Sequence, residues 1–286
     1  MLHWSTHGVH GSDIEMFKPK TFVCVDKSTD SLVLSIRGSY DIQDFLTDMN
    51  AEYEPFLTGF VHRGVLRSAR WIEEHLLEDI IRHMEKHQCA NLIFTGHSLG
   101  GAIAIVLLMI IKTQHWMRLN GLKHFTRFHV YTFGAPPACS QDIADRFQEH
   151  VDGYIYSRDL VPRASYGAIL DFRELVLFTN KIIKMSDMSI SEKMCRIDSY
   201  RKDLVSPANG NPKHPKAVHV GTLFLITKDS RMNDSPNLLE RKEDLQRFVV
   251  ERSCSENFMS FHVCLNLMYH HFPMNYKKGL EGSLQT

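Results

Sequence analysis

Gly96-His97-Ser98-Leu99-Gly100 spells the pattern G-x-S-x-G. A serine hydroxyl is a weak nucleophile until a base takes its proton, and it reacts best when a sharp, strained turn exposes its Oγ. With 16 glycines in 286 residues the bare string has only moderate specificity. Its context carries the inference: the short apolar run 91–95 (NLIFT) reads as a strand, and the long unbroken run 99–116 reads as a buried helix. Ser98 then sits between a strand and a helix, where glycines permit close backbone approach. The N–H of Leu99, opening the helix, points where an oxyanion would develop, with the helix dipole behind it.

Such a serine needs a histidine, and the histidine needs a carboxylate to fix its tautomer, in the chain order Ser, acid, His for this kind of elbow. Asp159 lies two residues beyond the strand-like 153–157 (GYIYS), at the carboxyl end where active-site loops gather, and Pro162 stiffens the loop that follows. Downstream stand His214, His219, His262, His270 and His271, and spacing does not choose among them. His219 falls inside a predicted strand at 218–227, which favours a packed role. His270 and His271 end a helix predicted at 256–271, where a loop can swing an imidazole over Ser98.

The elements that must position these groups alternate. Runs 21–26 and 31–37 read as adjacent strands across the turn 27–30. Val65, Ala69, Ile72, Leu76, Ile80 and Met84 recur at three and four, predicting an amphipathic helix over 63–87. A strand at 127–133, a helix at 141–150, the strand 153–157 and a helix at 168–184 follow. The polar, proline-bearing stretch 185–215 reads as a mobile insertion, and 229–241 as a polar connection. Alternation of strand and helix predicts an α/β fold of the α/β-hydrolase type, with a mostly parallel central sheet flanked by helices on both faces. Residues 1–286 are expected to form one such domain.

Charge and composition narrow the function classes. Lys plus Arg (33) balance Asp plus Glu (33), which argues against a nucleic-acid partner, and 43% hydrophobic residues suit a sizeable core. The 17 histidines form no HExxH or HxH, and the six cysteines no CxxC, so neither a metal nor another cofactor is expected and the thiols read as free. Residues 1–10 lack the basic start and apolar stretch of a secretory signal. The longest apolar run, 102–111, is about half of what a transmembrane helix needs. A cytoplasmic protein, peripheral to membranes, is the expectation.

Five blocks in one order carry a resemblance: Ile36-Arg37-Gly38-Ser39, Val61-His62-Arg63-Gly64-Val65, Gly96 to Ala102, Phe133-Gly134-Ala135-Pro136 and Asp159-Leu160-Val161-Pro162-Arg163. The chain resembles the class 3 lipases, and within them it looks most like the sn-1-specific diacylglycerol lipases, from SIRGSYDIQDFLTDMNAEYEPF and GFVHRGVLRSARWI. The likeness covers 12–171 and returns weakly over 216–281. It implies Ser98 as nucleophile, Asp159 as acid, Ser39 as the second oxyanion-hole residue beside Leu99, and His271 as base. His271 is placed by the block Leu267-Met268-Tyr269-His270-His271-Phe272-Pro273, where His270 stands in a position that is commonly acidic in the family. It further implies a lipid substrate at a membrane or droplet surface: an acylglycerol, with diacylglycerol foremost, hydrolysed through an acyl-enzyme on Ser98. Phospholipase A1 or general carboxylesterase activity is the alternative, and a non-catalytic lipid-binding lipase-like protein the rival from another class. The segment 185–215 takes the place of a regulatory insertion and is expected to act as a flap over the acyl site, with 52–60 as the other candidate cover. The first strands predicted lie so near the start of the sequence that the helical cap usual in the family is not expected in it.

Overall fold

The computed structural model describes residues 18–38, 53–205, 213–228, 248–258 and 269–284. Ser39, Glu52, His262 and 206–212 lie outside the described residues, and with them parts of the expected oxyanion hole, hairpin cover and insertion.

Strands β1 (Thr21–Asp26) and β2 (Ser31–Ile36) form an antiparallel pair, and β3 (Tyr53–Phe56) and β4 (Gly59–His62) a separate hairpin. Helix α1 (Arg63–His87) leads into β5 (Asn91–His97), and α2 (Leu99–Ile110) continues through one π turn, Ile111–His115, into α3 (Trp116–Asn120). Then come β6 (Arg127–Phe133), α4 (Gln141–Phe147), β7 (Val151–Tyr156), α5 (Tyr166–Ile183), α6 (Ile190–Val205), β8 (Thr222–Lys228), β9 (Phe248–Ser253) and α7 (Pro273–Ser283). Seven strands join in the order β1-β2-β5-β6-β7-β8-β9. The run from β2 to β8 is parallel, and only the two outer pairs are antiparallel.

The sheet's alternation explains its layers. Leu32, Leu34 and Ile36 of β2, Leu92 and Phe94 of β5, and Phe128 and Val130 of β6 are buried on one face, against α1 and α2. Each such side chain contributes about 2 kcal/mol by leaving water. Residues Gly100 to Ile110 of α2 are all buried, which is why this helix is apolar all round. By length and hydropathy Leu99–Asn120 would suffice to cross a membrane, but 67% of its window is buried in the protein as a core helix. On the other face α7 packs through Tyr276 on Tyr156, Ile226 and Phe248.

Three sequence expectations are corrected, and a candidate cover is given its form. The stretch 185–215 holds helix α6, whose charged, weakly apolar sequence hides its periodicity; it pairs with α5 through Phe178 stacked on Tyr200 at 4.1 Å. The last described helix is α7, not 256–271: residues 259–268 lie outside the described residues, the described ends of that span are 3-10 turns at Ser255–Phe258 and Tyr269–His271, and Pro273 starts α7 because its missing N–H is unneeded there. The described part of the candidate cover 52–60 belongs to the β3–β4 hairpin, which Tyr53 fixes by accepting the N–H groups of Gly167 and Ala217 at 3.3 and 3.1 Å. The strand predicted at 218–227 begins at Thr222, so His219 precedes it, and strand β9 had no expectation at all.

Candidate active site

Ser98 occupies the turn between β5 and α2 with φ 57° and ψ −132°, a region an L-residue enters only under constraint. Its N–H is held by the carbonyl of Phe133 at 2.9 Å, so the ends of β5 and β6 jointly fix the turn. Gly100 allows α2 to start against β2, since a Cβ there would lie 2.2 Å from the Ile36 carbonyl oxygen. Gly38, just beyond β2, approaches from the other side: its Cβ would come within 3.0 Å of the Ser98 Cβ and 3.5 Å of the Leu99 nitrogen. The chain therefore runs past the Leu99 N–H immediately before it reaches Ser39.

Asp159 is fully buried beyond β7. Ser157 takes φ 51° to end the strand, and the Asp159 N–H turns back to the Tyr156 carbonyl at 3.0 Å. Three donors converge on its carboxyl group: the Val161 N–H at 2.9 Å on Oδ1, His271 Nδ1 at 2.9 Å from Oδ2 and 3.1 Å from Oδ1, and the Tyr276 hydroxyl on Oδ2. Burial and the neighbouring Asp159 push the Tyr276 hydroxyl well above its ordinary pKa, so it stays a donor. Because Nδ1 of His271 faces the carboxyl group, Nε2 is its free nitrogen. Gly134 brings this group to the elbow: a Cβ there would meet Asp159 Oδ2 at 2.8 Å and the Tyr276 hydroxyl at 2.7 Å, one residue after the carbonyl that holds Ser98.

The structure thus sets Asp159 and His271 in direct contact and places Ser98 one residue from His97, whose ring lies 4.5 Å from that of His271. Among the described residues no hydrogen bond joins Ser98 Oγ to His271; such bonds are often long before substrate binds. The other candidate imidazoles among the described residues are engaged elsewhere. His270 accepts the Arg158 N–H at 3.3 Å, His214 pairs with Glu174 at 3.0 Å, and His219 donates to the Pro162 carbonyl at 2.7 Å, bracing the loop after Asp159. Burial holds the His219 pKa down at about 4, so it stays neutral. Among the described residues no group of three His, Cys, Asp or Glu side chains is arranged to hold a metal.

Sequence reasoning passed over Tyr276, which stands 117 positions from Asp159 and carries no motif. Gly38 and Gly134 lay inside quoted blocks, but their contacts were not readable from them.

Residues 33–168 match the family model for Lipase (class 3). The chain is 29% identical to "Phospholipase A1 PLIP2, chloroplastic" of Arabidopsis thaliana over 79% of its own length and 32% of that protein. It is 26% identical to "Diacylglycerol lipase-beta" of Mus musculus over 54% of its length and 23% of that protein. It spans about a third of the length of the two plant phospholipases it matches. Among solved structures, the native Rhizomucor miehei lipase propeptide complex overlays with a TM-score of 0.53 at 16% identity, over 89% of this chain and 62% of that one. A structure described as a triacylglycerol lipase whose catalytic centre is a serine protease triad overlays with a TM-score of 0.56 at 16% identity, over 89% of this chain and 75% of that one. Over the matched stretch, which contains the elbow and Asp159, the chain is similar to the class 3 lipases, and its sheet has the α/β-hydrolase fold.

Proposed function

We propose that the chain is a serine hydrolase that cleaves acyl esters of glycerolipids, diacylglycerol foremost, with Ser98 as nucleophile, His271 as base and Asp159 as its orienting acid. The observation that carries this reading is the contact of His271 Nδ1 with buried Asp159 beside a strained Ser98. His271 Nε2 takes the Ser98 proton as Oγ attacks the ester carbonyl, and the oxyanion is met by the N–H groups of Leu99 and Ser39. Collapse expels the glycerol oxygen, which takes the proton from His271. Water, deprotonated by the same nitrogen, then releases the fatty acid and restores Ser98. Tyr276 and the Val161 N–H fix the Asp159 carboxyl group that orients the imidazole.

The diacylglycerol and triacylglycerol lipases among the relatives support this substrate class. Phospholipase A1 action is the second reading, favoured because the two plant phospholipases match over three quarters of the chain or more. Work at a lipid surface follows from either.

The test is release of fatty acid from diacylglycerol and from phosphatidylcholine in mixed micelles. The wild-type chain is expected to hydrolyse one or both, and Ser98→Ala to lower the rate by at least about 10³-fold with its melting temperature kept. Retained turnover by Ser98→Ala would overturn the assignment.

A further inference from the structure

His97 belongs to the elbow motif, yet neither the motif nor the reading above gives its side chain a task. Its Nε2 lies 2.7 Å from the main-chain carbonyl of His271. A carbonyl only accepts, so the proton sits on Nε2 and the ring is a donor. Burial, helped by the nearby His271, holds its pKa down at about 4, so the ring stays neutral across the range where an esterase works. The same ring packs edge to face with Tyr276 at 5.7 Å and lines an apolar cavity of about 210 Å³ with Phe133, Pro273 and Leu280.

We propose that His97 is a positioning residue that ties the main chain of the base to the nucleophile elbow through its Nε2–H bond to the His271 carbonyl. This inference rests on Ser98 and His271 being nucleophile and base. Asp159 sets which way the imidazole of His271 faces, but it does not set how far the turn carrying that imidazole stands from Ser98. The turn Tyr269–His271 is short, and among the described residues its other main ties are local or run to the β7 loop: Asn275 Nδ2 to the Tyr269 carbonyl, and the Arg158 N–H to His270. His97 supplies the tie to the elbow itself. Since His97 and Ser98 are consecutive and the elbow backbone is rigid, the bond converts the position of one reacting group into the position of the other. A misplacement of about 1 Å between reacting groups costs on the order of 10²-fold in rate.

Two replacements separate this role from simple packing. His97→Phe keeps an aromatic ring but loses the donor, whereas His97→Gln keeps a donor close to where Nε2 stood and loses the ring. On a soluble p-nitrophenyl ester, His97→Phe is expected to lower kcat roughly 10- to 100-fold with KM within about twofold. His97→Gln should recover most of that loss, and both should show wild-type circular dichroism. Wild-type kcat in His97→Phe, or equal losses in the two variants, would overturn the positioning role. A wild-type chain inert toward both the ester and a fluorophosphonate probe would instead overturn the hydrolase reading beneath it.

Discussion

The elbow that carries Ser98 and the α5–α6 hairpin that follows Asp159 in the chain are held in opposite ways. At the elbow backbone meets backbone: α2 is buried from Gly100 to Ile110, and Gly100 leaves no room for even a methyl group against Ile36. The α5–α6 pair buries little. Leu177 and Ile183 are 58% and 60% exposed, and Ile190 and Met194 are 79% and 67% exposed. What anchors the pair is polar: Glu174 takes bonds from Tyr200, Lys213 and His214, and Lys216 pairs with buried Asp171 at 2.9 Å. The difference teaches that the part of the molecule that holds the proposed nucleophile is determined by sterics, while the α5–α6 pair keeps apolar surface in water and is tethered by charge.

Three changes test that contrast. The largest effect belongs to Gly100→Ala, which drives a methyl group into the Ile36 carbonyl oxygen; we expect a loss of about 3 kcal/mol in urea unfolding together with most of the activity. An unchanged midpoint would mean the elbow yields.

Acid comes next. His97 and His219 are held at about 4 against an ordinary 6.5, so the folded chain binds fewer protons than the unfolded one; their contribution is intact above 6.5 and is lost as pH falls toward 4. Glu174, bonded to Lys213 and His214, is held at about 2 against 4.5, so its contribution is intact above 4.5 and is lost as pH falls toward 2. The two regions should therefore weaken in separate windows. Urea midpoints at pH 7, 5 and 3 are expected to show His219→Gln flattening the upper step, worth up to about 3 kcal/mol, and Glu174→Gln the lower. A single step lost in both variants would show that the regions unfold through one shared group.

The smallest effect is Leu177→Ser, expected to change stability by no more than about 0.5 kcal/mol. If the exposed apolar stripe meets lipid, the same variant will lose activity on emulsified substrate while keeping it on a soluble ester. Equal activity on both would make the hairpin a bystander.

The contrast also accounts for what was legible in the sequence. The elbow is encoded locally, by a strand, glycines at fixed offsets and an apolar helix, so the strand–turn–helix around Ser98 and a mostly parallel sheet could be read directly. Asp159 followed from its place after β7. His271 was reached only through resemblance, because its register against Asp159 depends on a turn and a proline-started helix that no periodicity announces. Helix α6 was missed for the opposite reason: its stability comes from Phe178 on Tyr200 and the Glu174 cluster, contacts that polar composition disguises as loop. Tyr276 was invisible because one hydroxyl on a distant helix leaves no pattern.

The most direct test is to treat the chain with a fluorophosphonate and map the adduct by mass spectrometry. The modified peptide should carry the mass on Ser98, with labelling abolished in His271→Ala, strongly slowed in Asp159→Asn and retained in His270→Ala. An adduct on another residue, or labelling that survives His271→Ala but not His270→Ala, would contradict the assignment of Ser98, Asp159 and His271 as one working unit.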